Sequence, residues 1–171
     1  MKFREDKKNR PRLKIEAENT DRLLEALGTF VIAYVWILTF MYYQDLPDTI
    51  PVHFNIKGEP DGFGGRETLL FLPGISTIIY IMLTVLNKFP HTFNYPVKIT
   101  EENAPRQYRY ATRMVRYMKF AMSVIFATIV IYIIGMVRGE GPGPNRWLIP
   151  VSAALVFLPV IFYTVKMFRD K

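Results

Sequence analysis

The sequence of 171 residues contains no cysteine and only two histidines, His53 and His91. The absence of cysteine excludes disulfides, thiolate nucleophiles and zinc sites built on thiolates. Ser76 and Ser123 lie inside apolar runs, and no general base is within reach along the sequence to activate them. We therefore predict no catalytic residue, no bound metal and no cofactor.

Charge is missing from the centres of four long apolar runs. Half of the sequence is hydrophobic, at 50%, and each run is close to the about 20 residues that cross a bilayer as a helix. The runs occupy residues 24–43, 68–86, 120–137 and 147–168. The predicted fold class is an all-α integral membrane protein, a four-transmembrane-helix bundle with a small structured loop outside the cytoplasm that contains a short β-strand or turn.

The positive charges are distributed unevenly between the two sides of such a bundle. Of the 22 lysines and arginines, 18 lie in residues 1–22, in residues 87–119 and in the C-terminal residues 166–171. The positive-inside rule places these segments in the cytoplasm, with both termini. We predict a multi-pass protein of the cell membrane with a basic cytoplasmic tail (1–22) and one membrane domain (23–171). Its outer loop is 44–67 and its cytoplasmic loop is 87–119.

The cytoplasmic loop carries arginines at helical spacing. Residues 100–105 are typical of a helix start, because Thr100 can cap it and two acids follow. The next cations would share one helix face, and we predict that they contact anionic lipids of the inner leaflet. Nucleic-acid binding is not indicated, since no recognition motif accompanies them. The cations are Arg106, Arg109, Arg113 and Arg116.

The outer loop has the pattern of a folded element. Apolar and polar residues alternate over residues 52–56, which predicts a strand with Val52, Phe54 and Ile56 on one face and His53 and Asn55 on the other. Phe54 is expected to turn toward the bundle. Asp61 is expected to shape a turn by bonding the backbone. The residues expected to build the loop are Pro47, Pro51, Phe54, Gly58 and Gly62.

The polar face of this loop is the candidate binding site. The candidate ligand- or partner-binding residues are His53, Asn55, Glu59 and Asp61. The loop holds five carboxylates and two cations, so a cationic peptide or another membrane protein is the expected partner beside the lipid bilayer. Three alternatives stay open: His53 and Asn55 only stitch the loop together, His53 and Asp61 transfer protons in a small enzyme or transporter, or His53 recruits neighbouring oxygen ligands to a metal.

The same stretch resembles the signature of a bacterial membrane-protein family, domain of unknown function number 1648. This domain also forms the front half of SdpI-like immunity and signalling proteins. The resemblance implies a role in immunity to a secreted toxic peptide, coupled to signalling. SdpI-like proteins typically carry a second multi-span portion, whereas this sequence ends after its fourth apolar run. The residues that carry the resemblance are Leu46, Pro47, Ile50, Pro51, His53, Phe54, Asn55, Gly58, Asp61 and Gly62.

Overall fold

The protein is a bundle of four long helices with a β-hairpin at one end. A computed structural model describes residues 7–141 and 146–171. The first six residues of the predicted tail and residues 142–145 of the connection before the last helix lie outside the described residues. In chain order the elements are α1 Asn19–Tyr43, β1 Thr49–Phe54, β2 Pro60–Gly65, α2 Phe71–Leu86, α3 Ala104–Val137 and α4 Leu148–Arg169.

Four helices in the described part of the chain are long and apolar enough to cross a membrane. The second of these continues from a 3₁₀ turn at Arg66–Leu70 into α2. Most of their surface is exposed, and in the apolar window of α4 only 6% is buried. Such faces fit lipid rather than water. The predicted multi-pass, all-α membrane fold is confirmed.

The third helix differs most from the prediction. It is one continuous helix of 34 residues, Ala104–Val137, instead of a span limited to 120–137. At 1.5 Å per residue it is about 51 Å long, well beyond the roughly 30 Å hydrocarbon thickness of a bilayer. The helix also begins four residues after Thr100, with Asn103 at its N-cap. Half of the predicted cytoplasmic loop is therefore a helical extension of the span.

Helix α3 is the centre of the bundle, and α1, α2 and α4 all pack against it. The main apolar core lies near the hairpin, where Ile50 and Leu69 meet Val130 and Ile133 of α3. The chain therefore has a hairpin end, and an opposite end where residues 10–18, residues 87–103 and the end of α4 meet. At this opposite end the Tyr108 hydroxyl donates to the Pro11 carbonyl at 3.0 Å. Part of the predicted tail is thus held against the bundle.

Candidate functional site

The hairpin consists of two antiparallel strands whose pairing shifts twice. Thr49 pairs with Gly65 and Pro51 with Phe63, but His53 pairs with Gly62 and Phe54 with Pro60. Val52 and Asp61 are therefore the extra residues at two irregularities, and the period-two alternation breaks at both. This break explains a wrong prediction: Val52 and Ile56 do not share the buried side with Phe54, being 44% and 79% exposed.

The tip of the hairpin is closed by Asn55. Its side-chain oxygen accepts hydrogen bonds from the backbone amides of Lys57 at 2.8 Å and Glu59 at 3.1 Å, and its amide donates to the Glu59 carboxylate at 2.9 Å. Gly58 adopts a φ of 80°, a conformation that glycine reaches without strain. The structure thus places Asn55 and Glu59 together and engages both in shaping the turn.

His53 and Asp61 lie side by side on the exposed surface of the hairpin. His53 Nδ1 is 2.5 Å from Asp61 Oδ1, and their side chains are 72% and 42% exposed. Gly62 stands opposite His53, where an added Cβ would come within 3.0 Å of the His53 Cβ. The prediction that Asp61 and Gly62 shape a turn is wrong: both lie in β2, where Asp61 bonds a side chain and Gly62 permits close approach.

Phe54 and Tyr132 fix the hairpin to α3. Their ring centroids are 5.2 Å apart, and the Tyr132 hydroxyl donates to the Gly58 carbonyl at 2.8 Å. Phe54 packs against the apolar core, as the sequence predicted. The hairpin is therefore held by both an aromatic contact and a hydrogen bond that reaches its tip.

An apolar cavity of about 380 Å³ lies between the hairpin and helices α2, α3 and α4. Its walls include Val52 of β1, Leu72 of α2, Ile133 of α3 and Ile149 of α4, and His53 stands at its edge. We call this space the hairpin cavity. It is large enough for several side chains of a ligand, which would meet apolar walls below and carboxylates on the hairpin above.

A second polar site, not predicted from the sequence, lies toward the opposite end. We call it the charged cluster: carboxylates of α1 face cations of α3. Arg113 donates to Asp21 at 2.9 Å and to Glu18 at 2.6 Å. Asp21 is buried, so these charges are partly removed from water. The members are Glu18 at the N-cap of α1 and Asp21 and Glu25 within α1, with Arg109, Arg113, Arg116 and Lys119 of α3.

Lys119 is the most buried cation of the charged cluster, with a side chain only 1% exposed. Its ammonium donates to Glu25 at 2.5 Å and to the Thr84 hydroxyl at 2.8 Å. It also lies 4.3 Å from the centre of the Tyr80 ring. Three helices meet at this one charge.

The four arginines predicted to contact lipid have protein partners in the structure, and their lipid role stays a prediction. Arg109, Arg113 and Arg116 turn toward α1 and pair with its carboxylates, and Arg106 donates to the Asp170 carbonyl at 3.1 Å. The physical reason is that partly buried cations require partners, which α1 supplies. A signal existed in the sequence, because the acids of α1 recur at intervals of three and four residues, as do the cations of α3.

Within the described residues, no group of three or more histidines, aspartates and glutamates is arranged to hold a metal ion. His53 has a single carboxylate, Asp61, in hydrogen-bonding contact. His53 and Asp61 are thus two potential metal ligands in contact at the described hairpin, whereas a structural zinc site uses four.

Comparison with known proteins shows which family part of the chain resembles. Residues 30–77 match the family described as "Domain of unknown function (DUF1648)". This segment is similar to that domain. The match runs from the middle of α1 through the hairpin into α2, so the DUF1648 segment coincides with the structure that builds most of the hairpin cavity.

A relative extends the similarity beyond the DUF1648 segment. An uncharacterized protein of Archaeoglobus fulgidus is 27% identical over 158 residues, which cover 88% of this chain and 81% of the relative. No solved structure matches the chain. The chain is an integral membrane protein with a segment similar to DUF1648.

Proposed function

We propose that the protein binds a cationic, amphipathic peptide at the hairpin cavity and acts in SdpI-like immunity or signalling. The observation that carries this proposal is the apolar cavity of about 380 Å³ beneath an acidic hairpin. Apolar side chains of a peptide would enter the cavity, and its lysines or arginines would meet the hairpin carboxylates. A membrane-active peptide has both kinds of side chain on opposite faces.

The electrostatics of the hairpin end favour a cationic partner. Among the described carboxylates, Asp48 has a side chain 96% exposed and lies 3.9 Å from Arg66, an ion pair too open to neutralise it. Asp61 is engaged only by His53, which leaves its second oxygen available to a ligand. Carboxylates on this surface would steer positive peptides to the cavity and raise their association rate.

The side of the membrane is part of the proposal. The charge distribution supports a topology with the hairpin outside the cell and both termini in the cytoplasm. A secreted peptide would then reach the hairpin cavity directly from the exterior or from the outer half of the bilayer. The resemblance to SdpI-like proteins supports immunity as the biological setting.

A cavity-filling substitution tests the proposal. Ile149 lines the hairpin cavity, whereas Ile161 lies on the same helix outside its lining, and both are exposed. We expect Ile149→Trp to weaken binding of a synthetic Leu/Lys amphipathic peptide at least tenfold, because the indole occupies the space. Ile161→Trp should bind like the wild type. Binding is measured to the full chain in nanodiscs, and equal affinities for the two variants would refute the proposal.

A charge substitution tests the electrostatic half separately. We expect Asp61→Asn to weaken binding of the Leu/Lys peptide several-fold and to reduce the dependence of this affinity on salt. A Leu/Glu peptide of the same pattern serves as the ligand control and should bind poorly to both proteins. An unchanged salt dependence in Asp61→Asn would mean that this carboxylate takes no part.

The contact between His53 and Asp61 favours a second candidate, a small transporter or enzyme that uses this pair for proton transfer. Proton flux into proteoliposomes loaded with a pH-sensitive dye, measured for the wild type and for His53→Ala, distinguishes proton transfer from peptide recognition. A proton flux that His53→Ala abolishes would favour transport, whereas equal fluxes in the two proteins would leave peptide recognition as the role of the hairpin.

A further inference from the structure

A basic pocket opens beside the charged cluster, at the end of the bundle away from the hairpin. It measures about 420 Å³ and lies among the N-terminal segment, α1, the end of α2 and α3. Three cations line it, Lys14, Lys88 and Arg116, against a single carboxylate, Glu25. We use the name basic pocket for this space.

The carboxylates nearby do not neutralise these cations. In the charged cluster three carboxylates already face four cations. Lys14 and Lys88 are exposed and form no ion pair within the described part of the chain. The surroundings of the basic pocket therefore hold an excess of about three positive charges, which an anion would balance.

Arg116 brings a largely buried positive charge to the wall of the basic pocket. Its side chain is only 11% exposed, and its nitrogens are 3.5 Å from Asp21 and 3.4 Å from Glu25. Among the described residues, its Nε and Nη1 atoms make no hydrogen bond. These two atoms face the carboxylates without a hydrogen bond, so the guanidinium keeps part of its charge for the basic pocket, and guanidinium groups suit phosphate oxygens.

The position of the basic pocket fits a phosphate at the membrane surface. Lys88 and Asn87 follow directly after α2, which ends at Leu86. Lys119, next to the basic pocket through Glu25, lies 18 residues before the far end of α3, or about 27 Å along the helix. Since the hydrocarbon layer is about 30 Å thick, the basic pocket lies at the level of lipid headgroups.

We propose that the basic pocket binds a phosphate group, with Lys14, Lys88 and Arg116 as its cationic contacts. The phosphate belongs either to an anionic phospholipid or to a soluble phosphate compound. Binding here is independent of the hairpin cavity, which lies at the other end of the bundle.

The test removes two pocket charges without touching the charged cluster. Lys14→Gln/Lys88→Gln is compared with Lys98→Gln/Lys171→Gln, which removes two exposed lysines that do not line the basic pocket. Phosphatidylglycerol binding to the detergent-solubilised full chain is titrated by native mass spectrometry, with phosphatidylcholine as the zwitterionic lipid. Inorganic phosphate is titrated by calorimetry in parallel.

We expect the pocket variant to bind the phosphate ligand about thirtyfold more weakly than the wild type, since each of the two cations contributes roughly 1 kcal/mol. The control variant should match the wild type. A loss confined to phosphatidylglycerol assigns the lipid headgroup, and a loss for inorganic phosphate assigns a soluble ligand. Equal affinities of the two variants for both probes, or no binding of either probe, would overturn the proposal.

Discussion

The sharpest prediction about stability concerns Asp21, the buried carboxylate of the charged cluster. Its side chain is 2% exposed and accepts hydrogen bonds from Arg113 Nε at 2.9 Å and Nη2 at 3.1 Å. It also accepts from the backbone amide of Glu18 at 2.9 Å, which caps α1. The substitution Asp21→Asn keeps the shape and one acceptor for this cap, but it removes the negative charge.

The loss of stability expected for Asp21→Asn depends on which ion-pair partners Arg113 retains. Breaking a buried ion pair from one side costs about 3–5 kcal/mol, because the remaining charge is left without compensation. Arg113 retains Glu18 at 2.6 Å, but that carboxylate is 47% exposed, so the loss is reduced rather than cancelled. We therefore expect Asp21→Asn to lower the free energy of unfolding by about 2–4 kcal/mol. For a chain of this size this corresponds to a decrease in Tm of roughly 5–15 °C.

Thermal unfolding of the purified chain in detergent measures this decrease, and an exposed pair provides the control. Arg109 and Glu18 are 51% and 47% exposed, so Arg109→Gln should cost about 1 kcal/mol or less. In a double-mutant cycle, Asp21→Asn and Arg113→Gln should be coupled by at least about 1 kcal/mol. Additive effects, or an Asp21→Asn protein as stable as the Arg109→Gln protein, would refute the reasoning.

Three further predictions concern the hairpin and the topology. Phe54→Ala should destabilise the protein by about 2–3 kcal/mol, since it removes a half-buried ring and its contact with Tyr132; an unchanged melting temperature would contradict this. Gly58→Ala forces a side chain into positive φ at about 1–2 kcal/mol, visible as faster amide exchange at the hairpin tip. A cysteine at exposed Thr49, but not one at exposed Glu101, should react with an impermeant reagent in intact cells; the reverse pattern would invert the topology.

The sequence predicted the spans well because apolar length is a strong signal. The run at 147–168 became α4 Leu148–Arg169, and the run at 24–43 became α1 Asn19–Tyr43. The predicted helix bounds were wrong where a helix extends beyond its apolar run into a charged segment, as in the arginine-rich first half of α3. Hydropathy reports where lipid begins and ends, whereas the helix continues for as long as its backbone hydrogen bonds do.

Only the first strand of the hairpin, β1, was predicted from the sequence. β1 carries Ile50, Val52 and Phe54, residues that favour strands, but β2 contains one proline and three glycines. Such a segment has little strand propensity of its own, so its pairing comes from β1 and from the packing on α3. The contact between His53 and Asp61 depends on this pairing, and alternation along β1 alone does not specify it.

The charged cluster was missed for a different reason. Both halves have helical spacing in the sequence, but α1 and α3 are separated by the hairpin and α2, and spacing does not say which faces meet. Once α3 is placed at the centre of the bundle, the acids of α1 become the nearest partners of its cations. The ion pairs with α1 therefore give these partly buried cations partners within the protein.

Helix α3 connects the hairpin cavity with the charged cluster. Tyr132 reaches the hairpin tip through the Gly58 carbonyl, and Lys119 holds Glu25 thirteen residues earlier on the same helix, about 20 Å along its axis. A peptide that displaces Phe54 or Tyr132 would act on the element that carries four cations of the opposite end. Because these cations are paired with α1, a shift of α3 has to exchange ion pairs or carry α1 with it. The hairpin and the charged cluster are therefore both anchored to one continuous helix, Ala104–Val137.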